Sequence, residues 1–368
     1  MRIVFDLDDT ICRTQKRDYV NSTEISAVVS KIHELRETLP GVQIVVHTSR
    51  GMASCEGNVS AAEAKNRPTV ENWLKDHGIE VDEIIFGKPL ADLYVDDKAM
   101  TAADFGRAKI RRYYGFSGAT VTRIGKVMIK EAANVDEQLH WYQEAKKHYA
   151  QLEERYPLRV QPFRVPAAYS VTLGKLYLQF VPGVVAAKVA SEVMMHELID
   201  ALILEPELGR ENDLDNYARY VESRAASVGV KTDIGTRIRQ CKPLLRRTFC
   251  HGDFSLQNIL CNSQGYTLID PSPKQGISTW ILDAGKLRAS VMCLDEILAN
   301  TPHPYGLLNE IDCYIHAYEQ DGTLEPGTGD AVRLACESHI LRVWYYAKKL
   351  GKKKQEKQLA RYYRDFYE

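Results

Sequence analysis

Residues 248–270 of the chain read TFCHGDFSLQNILCNSQGYTLID. Apolar runs at both ends of this stretch predict two strands with a polar loop between them. The loop carries Asp253 and Asn258, and Asp270 follows the second strand. Phosphoryl transfer from a nucleotide needs a group that accepts the proton of the acceptor hydroxyl, together with oxygen ligands for metal ions. Asp253 suits the first role, and Asn258 and Asp270 suit the second.

The spacing H-G-D-x-x-x-x-N followed by I-D resembles the aminoglycoside phosphotransferase and choline kinase families, which are relatives of protein kinases. The resemblance implies a bilobal α+β kinase-like domain over 109–368, with a small lobe at about 112–182 and a large lobe at about 183–368. It also implies Mg²⁺ as cofactor, ATP or GTP as phosphoryl donor, and a small-molecule hydroxyl as acceptor. By the same resemblance Asp283 supports the catalytic loop and His251 braces it.

Further features of this family occur upstream of the loop. Val127-Met128-Ile129-Lys130 matches the strand lysine that holds nucleotide phosphates. Glu144, on a helix predicted at about 135–154, is the expected partner of Lys130, and Glu137 is the alternative because the sequence does not set helix rotation. Taken alone, such a lysine or glutamate is more typical of an exposed surface pair.

Two further segments resemble the hinge and the glycine loop of this family. Leu178-Gln179-Phe180-Val181-Pro182-Gly183 resembles the hinge, so Gln179 and Val181 are expected to bind the nucleotide base. Gly115-Phe116-Ser117-Gly118 is a degenerate form of the glycine loop, which in this family contacts the phosphates.

Four polar clusters follow predicted strands within the first hundred residues. Continuous apolar strands alternating with helical patterns indicate a parallel sheet covered on both faces. Ligands bind at the carboxyl ends of such strands, so the clusters are expected to converge. The clusters are Asp6-Leu7-Asp8-Asp9-Thr10, His47-Thr48-Ser49, Gly87-Lys88 and Asp96-Asp97.

These residue types suit phosphate ester hydrolysis. A carboxylate at a strand end, here Asp6, can attack phosphorus and form an aspartyl-phosphate. Asp8 projects to the same mouth and can protonate the leaving oxygen. Lys88 neutralises charge, and Asp96 with Asp97 offer oxygen ligands to Mg²⁺.

The ordered set resembles haloacid dehalogenase-type phosphatases, and 94–105 (YVDDKAMTAADF) resembles their capsule-biosynthesis branch. The resemblance implies a Rossmann-like phosphatase domain over 1–108 and a small phosphate ester as substrate. For Arg50 a structural role at the strand end is equally open. Catalysis is assigned to Asp6, Asp8 and Lys88, phosphate or substrate binding to Thr10, Thr48, Ser49 and Arg50, and metal binding to Asp6, Asp8, Asp96 and Asp97.

Composition limits the alternatives. The 368 residues include 48 basic and 49 acidic side chains, and the eight cysteines contain no C-x-x-C pair. No run approaches the roughly 18 apolar residues of a membrane span, so we expect a cytoplasmic protein without a membrane partner. The balanced charge and the lack of a G-x-x-x-x-G-K-[ST] loop argue against nucleic-acid end processing.

The sequence therefore predicts an α/β chain with a phosphatase domain followed by a kinase domain. Both are expected to act on small metabolites, such as precursors of a surface polysaccharide. Nucleic-acid end processing remains the alternative function, as does a chain in which one domain is active and the other only binds or regulates.

Overall fold

The computed structural model describes residues 1–15, 18–89, 91, 99–116, 118–155, 163–172, 174–209, 212–273 and 277–367. The chain divides into two compact units. The first unit holds Met1–Ala132 and Tyr177–Phe180, and the second unit holds Ala133–Leu176 and Val181–Glu368. Both contain helices and strands, which confirms the predicted mixed α/β class.

The elements have the following bounds in the described residues. The strands are β1 (Arg2–Phe5), β2 (Cys12–Arg13), β3 (Thr23–Glu24), β4 (Gln43–Thr48), β5 (Glu83–Phe86), β6 (Ile110–Tyr114), β7 (Thr120–Ile124), β8 (Val127–Glu131), β9 (Ala168–Thr172), β10 (Lys175–Gln179), β11 (Val184–Val185), β12 (Ile259–Asn262) and β13 (Gly265–Leu268). The helices are α1 (Ser26–Thr38), α2 (Val59–Asp76), α3 (Ala102–Gly106), α4 (Val135–Arg155), α5 (Glu192–Ile203), α6 (Leu214–Val228), α7 (Ile234–Gln240), α8 (Trp280–Ala289), α9 (Asp295–Ala299), α10 (Tyr305–Gln320), α11 (Thr328–Lys349) and α12 (Lys353–Tyr367). None of these helices combines the length and the apolar character that crossing a bilayer requires.

A three-stranded parallel sheet positions the polar clusters of the first unit. Its order is β1-β4-β5, with Ile3 opposite Ile44 and Val46 opposite Ile84. Because the strands run in one direction, the residues after β1, at the end of β4 and after β5 lie at the same edge. The strand predicted at Leu93–Val95 lies outside the described residues.

The sequence pattern predicts a helix at about 69–77. In the structure, helix α2 starts ten residues earlier, at Val59. The Asn58 side chain accepts a hydrogen bond from the Ala61 N–H and so caps the helix, and Pro68 lies inside it. The early turns are rich in alanine, which favours helix without giving an apolar periodicity. Residues 59–68, which precede the predicted helix, are therefore helical as well.

A second sheet of the first unit changes the expected division of the chain. Strands β6, β7, β8 and β10 are neighbours in that order, and β6, β7 and β8 pair antiparallel. Ile110, Ile124 and Ile129 from these strands belong to the same buried cluster as Phe5 and Ile44. The compact unit consequently continues to Ala132. The boundary between the predicted phosphatase domain (1–108) and the predicted kinase domain (109–368) stays a prediction.

In the second unit, α8 and α11 pack closely together. A Cβ at Gly285 would lie 2.5 Å from the Ala335 Cβ and 2.8 Å from the Cys336 backbone nitrogen, so only glycine permits this approach. The stretch Thr248–Cys250, predicted as a strand, is not a strand in the structure. Thr248 is held outside any sheet, because its N–H donates to the Ser278 carbonyl over 3.0 Å.

The β12–β13 hairpin brings the two ends of the predicted metal-binding segment together. Ile259 pairs with Leu268, and the Ile269 N–H donates to the Asn258 carbonyl over 2.9 Å. Gly265 closes the turn at φ 101°, a conformation that glycine adopts readily. Asn258 and Asp270 therefore flank the same end of the hairpin.

Candidate active sites

Asp253 lies at the centre of the candidate site in the second unit. Lys286 Nζ on α8 is 2.9 Å from Asp253 Oδ1. The Asn258 side-chain amide donates to Asp253 Oδ2 over 3.0 Å and to the Asp253 carbonyl over 2.9 Å. Lys286 is 6% exposed, and a lysine at that depth usually requires a charged partner. The carboxylate is thus held by one ammonium and one amide.

Asp283 holds the backbone of the loop that carries Asp253. Its carboxylate accepts hydrogen bonds from the His251 N–H over 2.6 Å and from the Gly252 N–H over 2.8 Å. Gly252 has φ 76°, and a Cβ there would lie 2.2 Å from the Ser272 carbonyl oxygen. Burial raises the pKa of Asp283 to about 7, although the two backbone N–H groups act in the opposite direction. Asp283 is a structural brace, which is the role inferred from the sequence.

We expect Asp283→Asn to remove a pH dependence of stability. Because the pKa rises from 3.8 to about 7 on folding, the folded chain retains a proton between these values that the unfolded chain has released. The free energy of unfolding should therefore fall as pH increases across this window, by up to about 1.4 kcal/mol per pH unit. Urea unfolding at pH 4.5, 6 and 7.5 should show a shallower slope for the variant. Parallel slopes would contradict this assignment.

Helix α4 holds Asp270. The Asp270 N–H donates to the Tyr142 hydroxyl over 2.9 Å, and Gln138 Nε2 lies 3.4 Å from Asp270 Oδ1 and 2.8 Å from the Pro271 carbonyl. Asp270 has φ 57°, a left-handed conformation that aspartate tolerates better than most residues. Trp141 on the same helix donates to the Cys250 carbonyl over 2.9 Å.

The oxygen donors beside this segment suit Mg²⁺. Gln138 is 3% exposed, and its Oε1 is buried without a hydrogen-bond partner in the structure. The Asn258 amide nitrogen is occupied by Asp253, so its oxygen is the atom available to a cation. Magnesium binds few protein oxygens and keeps phosphate and water as its other ligands. Asn258 and Asp270 would hold the ion, and no group of three His, Cys, Asp or Glu with metal-binding geometry occurs in the described residues.

The residues predicted to bind the nucleotide are divided between the two units. Lys130 is buried on β8 of the first unit. The chain passes from the first unit to the second between Phe180 and Val181, inside the predicted hinge, where Gln179 ends β10. Binding of the base by Gln179 and Val181 stays a prediction, and Ser117 of the glycine loop lies outside the described residues.

Glu144 lies on the predicted helix, α4, with its side chain exposed. Its side chain is 47% exposed and bonds Lys147 one turn along α4 over 3.0 Å, an interaction that lowers the pKa of Glu144. Glu137, the alternative, is also exposed. The apolar side chains of α4 set its rotation and turn Gln138 and Tyr142 inward instead. Pairing of Glu144 with Lys130, which belongs to the first unit, stays a prediction.

Two substitutions on α4 distinguish a residue that orients Asp270 from one that forms only a surface ion pair. Gln138→Met keeps the volume but removes the contacts to Asp270 and Pro271, and we expect about 10-fold lower kcat/KM for the nucleotide, as for other residues that orient metal ligands. Glu144→Gln removes only a surface pair and should change this value less than about twofold. Steady-state kinetics of both variants against ATP tests the pair. An equal loss in both would restore a role for Glu144.

In the first unit, Asp6 and Lys88 meet at the carboxyl edge of the parallel sheet. Lys88 Nζ is 3.1 Å from Asp6 Oδ2, and the Lys88 N–H donates to the Thr48 carbonyl over 3.2 Å. Burial first, and then the charge of Lys88, lower the pKa of His47. The structure thus brings together three clusters that are separate in sequence.

Arg50 is directed to Asp8. Its Nε and Nη2 lie 2.9–3.2 Å from both oxygens of Asp8, and the Thr14 hydroxyl donates to Asp8 Oδ1 over 2.6 Å. Arg50 is 2% exposed, and its guanidinium carbon lies 4.5 Å from the centre of the Tyr19 ring. This arrangement fits the structural role left open for Arg50. It also engages both oxygens of Asp8, the predicted acid. Thr14 and Tyr19 gave no motif in the sequence.

The remaining predicted residues of this site divide into three groups. Thr48 is fully buried, and its hydroxyl accepts the Arg50 N–H over 3.1 Å. Thr10 and Ser49 are partly exposed near the same edge of the sheet. Asp96 and Asp97 lie outside the described residues, so the magnesium ligands assigned to them stay predictions.

Comparisons with known proteins give matches among solved structures only. No protein-family profile matches the chain, and no curated protein matches it. Solved structures that resemble about 70% of the chain are kinases of the aminoglycoside phosphotransferase and choline kinase type. The GDP and kanamycin complex of APH(2″)-IIIa is 12% identical, with 70% of this chain and 94% of that chain covered at a TM-score of 0.43. A glucosamine kinase in complex with glucosamine, ADP and phosphate is 12% identical, with 70% and 79% covered at 0.42.

A further resemblance concerns a shorter part of the chain. A structural-genomics target protein from Vibrio cholerae is 31% identical over 28% of this chain and 86% of that chain, with a TM-score of 0.27. Its description names no activity.

Proposed function

We propose that the chain transfers the γ-phosphoryl group of a nucleotide to a hydroxyl of a small molecule, and that Asp253 is its catalytic base. The observation that carries the proposal is the position of Asp253, which is bonded to Lys286 and Asn258 on the loop held by Asp283. The printed descriptions of the similar kinases name kanamycin and glucosamine, both of which carry hydroxyl groups, and this supports a small alcohol as acceptor.

Each residue of the site has its own role in the phosphoryl transfer. Asp253 accepts the hydroxyl proton while the acceptor oxygen forms its bond to phosphorus and the bond to the nucleoside diphosphate breaks. Lys286 and Asn258 keep the carboxylate oriented toward the hydroxyl. Asn258 and Asp270 would hold Mg²⁺, which supplies neutralisation of phosphate charge when bound. Asp253 ends the step protonated, and its proton returns to solvent.

Phosphorus NMR tests the proposed transfer. Asp6→Asn protein, which lacks the carboxylate proposed below to hydrolyse phosphate esters, is incubated with ATP or GTP, Mg²⁺ and a library of sugars and amino alcohols. We expect a new phosphomonoester signal that grows in step with the nucleoside diphosphate. Nucleotide binding without any phosphomonoester across the library would contradict the proposal and favour a binding or regulatory role.

A second activity, phosphate ester hydrolysis, is proposed for the first unit. The specific observation is the Asp6–Lys88 ion pair at the sheet edge, next to Thr48. Asp6 would attack phosphorus and release the alcohol, and water would then cleave the aspartyl-phosphate to inorganic phosphate. The magnesium ion would be held at the same edge. Successive action of both sites on one metabolite of surface-polysaccharide synthesis is a prediction from the sequence resemblance alone.

A further inference from the structure

Two arginines of the second unit lack acidic partners. Arg224 on α6 and Arg342 on α11 form no ion pair with a carboxylate in the part of the chain that the structure describes, whereas Arg237 and Arg239 nearby do. The Nε atoms of Arg224 and Arg342 are buried and have no hydrogen-bond partner. Arg342 is only 8% exposed. A buried cation such as Arg342 is costly without a counter-charge, so a compensating anion is the expected complement.

Tyrosines surround both guanidinium groups. The Arg224 guanidinium carbon lies 4.7 Å from the Tyr220 ring centre and 4.0 Å from that of Tyr345. Although burial acts to raise it, the charges of Arg342 and Arg224 and their hydrogen bonds lower the pKa of Tyr220. Tyr346, which is 37% exposed, borders the same group and connects it to solvent. We call Tyr220, Arg224, Arg342, Tyr345 and Tyr346 the arginine–tyrosine cluster.

The cluster is linked to Asp253 through neighbouring side chains. Arg342 Nη1 lies 3.0 Å from His339 Nδ1, and His339 Nε2 lies 2.9 Å from the Leu282 carbonyl. Since a carbonyl only accepts, Nε2 carries the proton and Nδ1 accepts from Arg342. Burial, followed by the charges of Arg342 and Lys286, lowers the pKa of His339 far below its usual value, so the ring is neutral. Lys286 in turn contacts Asp253.

We propose that the arginine–tyrosine cluster binds an anionic group, a carboxylate or a phosphate, on the acceptor alcohol. Guanidinium groups bind both anions through paired hydrogen bonds, and the Tyr220 and Tyr345 rings beside Arg224 partly desolvate its guanidinium group. The inference rests on the proposed function, because it assumes that Asp253 is the base of a phosphotransferase. It specifies the substrate class as acidic rather than neutral or cationic alcohols.

Matched acceptors test the proposal in two arms. Glucose, glucosamine, glucuronate and glucose 6-phosphate are offered with ATP and Mg²⁺ to the Asp6→Asn protein, which should not hydrolyse the phosphate ester. We expect glucuronate or glucose 6-phosphate to be a better acceptor than the uncharged and cationic sugars. Arg342→Gln should raise the KM for that preferred acceptor by at least about 10-fold, with kcat little changed. Arg333→Gln, which removes an exposed arginine of α11 paired with Asp330, serves as control. A preference for glucose or glucosamine that Arg342→Gln leaves intact would overturn the proposal.

Calorimetry distinguishes failure of this inference from failure of the proposed function. Glucuronate and inorganic phosphate are titrated into the Asp253→Asn protein, where no transfer is needed. Binding that Arg342→Gln weakens about 10-fold, and Arg333→Gln does not, supports the anion site even if no alcohol is phosphorylated. Binding that is absent, or unaffected by Arg342→Gln, overturns the site even if the kinase activity is found.

Discussion

Asp253→Asn is expected to lower ATP-dependent phosphorylation by about 10³-fold or more, while phosphate ester hydrolysis continues at its normal rate. The amide cannot accept the proton of the acceptor hydroxyl, and general-base catalysis contributes roughly 10²–10⁴-fold in rate. The substitution also removes the carboxylate charge beside Lys286. Initial rates of nucleoside diphosphate formation with an active acceptor provide the measurement.

A matched variant guards against an indirect effect. Asp330→Asn removes an exposed carboxylate of α11 that pairs only with Arg333 among the described contacts, and it should leave both activities unchanged. Thermal unfolding should be similar for both variants. Phosphorylation by Asp253→Asn at more than about a tenth of the normal rate would remove Asp253 from the role of base. Loss of both activities in a folded protein would contradict independent sites.

Asp6→Asn is expected to reduce phosphate release from an aryl phosphate by about 10⁴-fold or more. An amide does not form the aspartyl-phosphate, and loss of a nucleophile removes the whole covalent route. Lys88 would also lose the carboxylate that lies 3.1 Å away. Release of nitrophenol from its phosphate ester is a direct assay, and ATP-dependent phosphorylation should remain within about twofold of the wild type.

The control for this variant is Asp76→Asn, at the exposed end of α2. It should retain full hydrolysis. Wild-type protein that releases no phosphate from any ester would contradict the second activity, and Asp6→Asn that releases it normally would assign the activity to another residue.

The sequence predicts those parts of the structure in which a reactive side chain lies at the end of a strand. Asp6, Thr48 and Lys88 are adjacent because parallel strands end at one edge, and hydrophobic patterning alone locates these strands. Asn258 and Asp270 meet because a short hairpin joins their strands. The local pattern and the tertiary structure agree in the first site, whereas in the second the strand predicted at Thr248–Cys250 is absent and β12 forms the hairpin with β13.

Helix rotation and buried partners could not be predicted in this way. Glu144 matches the expected charge and position, but the inward face of α4 is chosen by Trp141, Tyr142 and other large side chains that pack in the second unit. Gln138 carries no charge and belongs to no motif, so its contact with Asp270 emerges only in three dimensions. The binary pattern of a helix gives its apolar face to within a residue or two at best.

Long-range ion pairs were also missed. Lys286 is 33 residues beyond Asp253 in the sequence, and Arg50 is 42 residues beyond Asp8. Sequence spacing gives no information on such contacts when a turn or a helix intervenes. Burial of Lys286 and Arg50 is the structural signal that identifies them, because long basic side chains are rarely buried unless they are paired.

The central claim is that a nucleotide γ-phosphoryl group moves to an alcohol at Asp253. The most direct test uses ATP labelled with ¹⁸O in its γ-phosphate, Mg²⁺ and an accepted alcohol, followed by mass spectrometry of the products. We expect a phosphomonoester that carries three ¹⁸O atoms with the Asp6→Asn protein, which should not hydrolyse the product, and no such product with the Asp6→Asn, Asp253→Asn double variant. An unlabelled phosphomonoester, or labelled inorganic phosphate as the sole phosphorylated product besides ADP, would contradict it.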